Sequence, residues 1–167
     1  MGNRMFAATA VLLATVACNE DIAKPAPVVP VERFVARLSG DAERPTPVAT
    51  SASGVADFAL FRRTDTTGTT RDTLTFVVSV NGLSGPPTGI HIHGPGDAET
   101  VAGVAHGMTI AQGVRSGILA AGSVTRPTNG TISMDSLMTL IRAGLAYVNV
   151  HTAANPGGEI RGQIVRP

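Results

Sequence analysis

The sequence predicts an all-β fold, a Greek-key β-sandwich or barrel with one short helix, and three observations carry that expectation. The chain has 167 residues, enough for one domain, and its 43% apolar content supports a packed core. It holds 19 Gly and 11 Pro, which break long helices and serve turns. Beyond residue 32, segment after segment alternates apolar and polar side chains with period two, as strands with one buried face do.

Taken in order, Phe34, Ala36 and Leu38 alternate with Arg33, Arg37 and Ser39. Residues 54–63 follow as a second strand, and Asp65-Thr66-Thr67-Gly68 has the chemistry of a hairpin tip. Leu74, Phe76, Val78 and Val80 form the next apolar face, and Ile90 and Ile92 alternate with His91 and His93. Residues 101–106 and 114–125 read as further strands. Asp135 is placed to cap a short helix carrying Leu137, Met138, Leu140 and Ile141, with Gly144 ending it. Val148 and Val150 then alternate with Asn149 and His151, and Ile160 and Ile164 with Glu159, Arg161 and Gln163. Turn signals at Gly85-Pro86-Pro87, Gly94-Pro95-Gly96-Asp97, Asn129-Gly130 and Asn155-Pro156-Gly157-Gly158 separate these segments.

The first 32 residues have a different character. Arg4 is the only charge before residue 20, and Met5 to Ala17 is an apolar run of 13 residues. A bilayer span needs about 20 residues, so residues 1–17 read as an export signal. The run ends in Thr15-Val16-Ala17-Cys18, and Cys18 is the single cysteine of the chain. This placement resembles the lipobox of bacterial lipoproteins, with a small residue before the cysteine and Thr15 where Leu is usual. The resemblance implies acylation of Cys18; the alternative is an ordinary signal peptide. Residues 18–32, with Pro25, Pro27 and Pro30, then form an extended tether. The expected location is the bacterial cell envelope, exported and held at the membrane by a lipid anchor. A Gram-negative host would make this the periplasm or outer membrane.

Charge narrows the partners. A net charge of +1 excludes an electrostatic nucleic-acid binder. One cysteine excludes an intramolecular disulfide or a cysteine-based zinc site in a monomer. No Gly-x-Ser-x-Gly elbow, phosphate loop or Cys-x-x-Cys is present. With no catalytic motif, the expected role is non-enzymatic: a surface module that binds a protein or glycan partner in the envelope.

The histidines supply the other chemistry. Residues two apart on a strand share a face, so His91 and His93 point the same way. His151 stands in the same relation to Tyr147 and Asn149. If the two strands are neighbours, three imidazoles converge, a donor set suited to copper or zinc. His106 and Glu159 are further candidate ligands, Glu159 also as a group that orients an imidazole. The alternative for each is an ordinary surface or loop side chain, and for Glu159 and Arg161, which share a face, pairing with side chains of neighbouring strands.

The run Leu38-Ser39-Gly40-Asp41-Ala42-Glu43 with Pro45 and Pro47 is similar to the opening of the chordin (CHRD) domain. So are Gly54-Val55-Ala56, Gly82-Leu83-Ser84-Gly85, Gly89-Ile90-His91-Ile92-His93-Gly94-Pro95, and the stretch from Tyr147 to Ile164. The resemblance implies a CHRD domain over residues 33–167. A second likeness is to copper/zinc superoxide dismutases: Gly89 to His93 resembles their histidine strand, and Val148 to His151 the strand of a later copper ligand. It implies copper ligands at His91, His93 and His151, with His106 as a fourth, and an anion-contacting role for Arg161; the alternative to a protein- or glycan-binding module is then a copper-binding envelope domain with redox activity of the superoxide dismutase kind. The zinc-ligand set and disulfide of that family have no counterpart here. The two likenesses frame the fold as immunoglobulin-like or superoxide-dismutase-like.

Overall fold

The alternating segments fold as eight antiparallel strands in a computed structural model, which describes residues 29–127 and 132–167. The export signal, Cys18, most of the tether and the Asn129-Gly130 turn lie outside the described residues. The strands are β1 (Glu32–Ser39), β2 (Ser53–Thr64), β3 (Thr70–Asn81), β4 (Pro87–His93), β5 (Val104–Gly107), β6 (Gly117–Val124), β7 (Tyr147–Thr152) and β8 (Ile160–Gln163). The helix α1 (Met134–Arg142) lies between β6 and β7. Among the described residues no helix is long and apolar enough to cross a membrane.

All eight strands belong to one sheet in the order β5-β4-β7-β8-β1-β2-β3-β6. The sheet has two halves of four strands. They meet where β8 touches β1 through the single register pair Ser39–Arg161, supported by a bridge between Val35 and Val165. Local hairpins build β1-β2-β3, whereas the β3–β4, β5–β6 and β6–β7 connections pass from one half to the other. The sheet curls so that the apolar faces of both halves share one core. Phe34, Leu38, Phe58, Leu74 and Val78 from one half pack with Ile90, Ile92, Val148, Val150 and Ile160 from the other. This is the sandwich or barrel class that alternation predicts.

Leu137, Met138 and Ile141 of α1 are buried in that core. The helix begins two residues earlier than expected. Ser133, not Asp135, is the N-cap, its hydroxyl accepting from the Ser136 amide at 3.0 Å. Asp135 instead sits in the first turn, where its charge suits the helix dipole. At the other end Gly144, with φ +69°, makes the left-handed turn that lets Leu145 N–H reach the Leu140 carbonyl. Together with the Gly144 to Ile141 bond this is a Schellman closure.

Asp65 organises the β2–β3 hairpin as expected, its Oδ1 accepting from the amides of Thr67 and Thr69 at 2.9 Å each. The strand expected over 101–106 is shorter and shifted, because residues 94–103 leave the sheet and fold back over its outer face.

Candidate metal centre

Strand β7 lies between β4 and β8, so the polar faces of three strands are side by side. The β4–β7 register pairs Gly89 with His151, His91 with Asn149, and His93 with Tyr147. Directly paired residues share a face. His91, His93, Tyr147, Asn149 and His151 therefore stand on one surface, opposite the core residues Ile90, Ile92, Val148 and Val150.

The glycine in that register decides where the rings meet. Gly89 faces His151 and offers no side chain, so the His91 and His151 rings lean over it. A Cβ on Gly89 would meet His91 Cε1 at 3.1 Å and His151 Cδ2 at 3.9 Å. His91 Nδ1 and His151 Nε2 come within 3.0 Å. The His93 ring lies 5.6 Å from His91 and 6.0 Å from His151, centroid to centroid. One ligand atom from each of the three falls within 4.8 Å of the others.

Backbone carbonyls set the tautomers. His93 Nδ1–H donates to the Ala102 carbonyl at 2.9 Å, and His151 Nδ1–H to the Pro156 carbonyl at 3.0 Å. Each bond leaves the Nε2 lone pair free, in the manner of metal-binding imidazoles. His151 Nε2 then accepts from His91 Nδ1–H. His93 Nε2 is buried without a hydrogen-bond partner, a costly state for a polar atom.

Three observations fit a metal. Two nitrogens on one tetrahedral ion at about 2.0 Å stand roughly 3.3 Å apart, close to the His91–His151 separation. The third ring already presents an unused lone pair. The donor set is three neutral imidazoles without thiolate, which suits copper or zinc and leaves a coordination position open.

Electrostatics keep the rings neutral. Burial first, then the proximity of His151 and His93, pushes His91 down to about 4. Burial also lowers His93 and His151, and the Arg161 charge adds to the effect at His93. Neutral imidazoles keep their lone pairs for a cation.

The other candidates lie elsewhere. His106 pairs with Ile92 in the β4–β5 register, which puts it on the face opposite His91 and His93. It is therefore not a fourth member of the cluster. Glu159 is fully buried, and its carboxylate accepts from Ser84, Thr152 and Thr50, all at 3.0 Å or less. These bonds hold it below its ordinary carboxylate range despite its burial. It ties the β7–β8 turn to the Ser84 loop and orients no histidine.

Arg161 pairs in register with Asn149 of β7, and its side chain is withdrawn from the solvent. It is 2% exposed, with Nη2 donating to the carbonyls of Asp97 and Thr100 at 2.6 and 2.9 Å. Its guanidinium carbon lies 3.5 Å over the Tyr147 ring. The same ring stacks on His93 at 5.0 Å with an interplanar angle of 5°. Tyr147 OH closes the set, accepting from the Ala102 amide at 3.0 Å. Gln163 Nε2 holds Gly96 and Gly144 by their carbonyls. The 94–103 segment is thus fastened by the sheet's polar face, which satisfies groups that would otherwise be buried alone.

Glu43 belongs to this layer too, and the sequence offered no sign of its role beyond its place in the opening motif. It is 2% exposed and accepts from Asn149 Nδ2 at 3.0 Å. Burial pushes its carboxyl up to about 7, against the pull of Asn149 and Arg161.

The polar layer is built from the segments that the sequence singled out: the opening motif with Glu43, the His91–His93 strand, and the run from Tyr147 to Gln163. No curated protein and no solved structure matches the chain. The model of the CHRD domain family matches residues 34–164, a span that contains all of these segments and most of the sheet. The chain belongs to the CHRD domain family.

Proposed function

We propose that this CHRD domain is a non-enzymatic binding module of the bacterial envelope whose ligand is a copper ion held by His91, His93 and His151. The observation that carries the reading is the convergence of three ring nitrogens within 4.8 Å, with two of the rings oriented by carbonyl acceptors. Among the described residues only His91 Nδ1–H takes up one of those lone pairs, that of His151 Nε2, and His93 Nε2 is buried with no partner. Three protein nitrogens leave room for a further donor on the ion.

The test is metal stoichiometry of the purified full chain after loading with copper and removal of excess. About one ion per chain is expected, and His93→Ala or His151→Ala should abolish it. A wild-type protein that takes up no copper overturns the reading.

The anchor belongs to the same proposal. Acylation at Cys18, followed by the proline-containing tether, holds the domain at a membrane and leaves it free to meet its ligand. In the native host, Cys18→Ser should move the protein from the membrane to the soluble fraction. Retention of that variant in the membrane overturns this part.

A further inference from the structure

A positive charge is stored behind the three imidazoles. Because β7 separates β4 from β8, Tyr147 has His93 on one flank and Arg161 on the other. The imidazole, phenol and guanidinium form a stack, 5.0 Å from ring to ring and 3.5 Å from ring to guanidinium carbon. Arg161 donates to two carbonyls, and no ion pair among the described residues includes it. The carboxyl groups that attract it are Glu43, occupied with Asn149, Asp97, occupied in its own turn with Thr100 and the Glu99 amide, and Glu99, paired with Arg44. Its cation is hydrogen-bonded, shielded from water and not neutralised by contact. An arrangement of this kind is costly for stability alone.

We infer that Arg161 biases the three-histidine site toward a singly charged ion, so that it holds Cu(I) in preference to Cu(II). This rests on the metal reading above and adds the oxidation state. The three ligands are neutral and the group contains no carboxylate to offset a second charge. A fixed unit charge roughly 10 Å away in a medium of effective dielectric constant about 20 disfavours the divalent ion by about tenfold relative to the monovalent one. Imidazole suits copper, and the three rings are the same with and without the charge, so its effect is read as a change in the ratio of the two affinities. Tyr147 fixes the distance, its ring filling the space between cation and ligand.

The experiment compares Cu(I) and Cu(II) affinities of the full chain by chelator competition, anaerobically for Cu(I), in wild type, Arg161→Gln and Arg161→Lys. Arg161→Gln should move the affinity ratio about tenfold toward Cu(II), equivalent to about a 59 mV fall in the one-electron potential. Arg161→Lys should keep most of the wild-type ratio. An unchanged ratio in Arg161→Gln, or an equal loss in Arg161→Lys, overturns the inference while leaving the metal site standing. If Arg161→Gln does not fold, the ratio is read in Arg161→Met, which fills the same place without charge: a shift of about tenfold toward Cu(II) supports the inference and an unchanged ratio overturns it. A wild type that binds neither ion removes the metal reading itself, a result distinct from binding without preference.

Discussion

His91 Nδ1 and His151 Nε2 stand 3.0 Å apart although 60 residues of chain separate them, and they meet above Gly89 because that residue has no side chain. The contact predicts a substitution that acts on the site alone. Gly89 lies within a strand and has no positive φ, so a β-branched residue suits its backbone. Gly89→Val should fold, yet its methyl groups occupy the space where the two rings lean together. Copper affinity should fall by at least tenfold with the far-ultraviolet spectrum unchanged. Titration against a competing chelator checks this, and undiminished affinity would show that the rings do not need that space.

The carbonyl partners predict a tautomeric state. In the metal-free protein at neutral pH, His93 and His151 should carry their protons on Nδ1, donated to Ala102 and Pro156. Long-range nitrogen–proton NMR correlations distinguish the two nitrogens. On adding Zn(II), a diamagnetic stand-in for copper, the Nε2 signals should move while the Nδ1 protons persist. A dominant Nε2–H form in the free protein would mean that the lone pairs are not presented to the cluster.

The same metal should stabilise the fold. Binding only to the native state at a free concentration one hundredfold above the dissociation constant contributes about 2.7 kcal/mol, which raises the midpoint of a domain this size by roughly 5–10 °C. His151→Ala should lose that shift entirely. A rise of equal size in His151→Ala would place the stabilising ion elsewhere.

These expectations draw on features with unequal visibility in the sequence. Alternation located the strands because a half-buried strand must repeat every second residue. It put His91 and His93 on one face by spacing alone. Their meeting with His151 was conditional, since the β4–β7 pairing joins distant segments and no local pattern encodes which strands become neighbours. The same gap hid His106: its face depends on pairing with Ile92, past an irregularity in the ladder. Arg161 and Glu159 looked like exposed strand residues because β8 alternates. The 94–103 segment and the Ser84 loop bury them, and loop paths leave little periodic trace. Ser133 and Asp135 are both good caps by chemistry, and only the hydrogen bond to Ser136 separates them.

Glu43 predicts a pH-dependent difference between two proteins. Burial raises its carboxyl from an ordinary 4.5 to about 7. The native state therefore binds the proton more tightly than the unfolded chain. The contribution to stability is fully present below pH 4.5 and is lost as pH rises through about 7. At about 1.36 kcal/mol per unit the loss is on the order of 3 kcal/mol. Glu43→Gln does not titrate and keeps an acceptor for Asn149. The midpoint of the variant minus that of wild type should grow between pH 4.5 and 7 and level off above. The histidines, lowered by burial, act with the opposite sign, and they cancel in the difference. A difference that is flat with pH would show that Glu43 titrates normally.

Two adjacent glycines give the last prediction. Gly158 has φ +136°, and a Cβ there would overlap both the Asn149 amide and the Glu43 carboxyl. Neither neighbour can retreat, because each is buried and bonded to the other. Gly157 has no positive φ, and a Cβ on it would have no neighbour within 4 Å. Gly158→Ala should destabilise the domain by at least about 2 kcal/mol through strain and displacement of the pair, whereas Gly157→Ala should stay within about 0.5 kcal/mol of wild type. Urea unfolding of the three proteins at pH 7 measures both. The turn also carries Pro156, whose carbonyl orients His151, so Gly158→Ala should weaken copper binding as well, and Gly157→Ala should not. Equal stability of the two variants would mean that the turn is not packed against the polar layer.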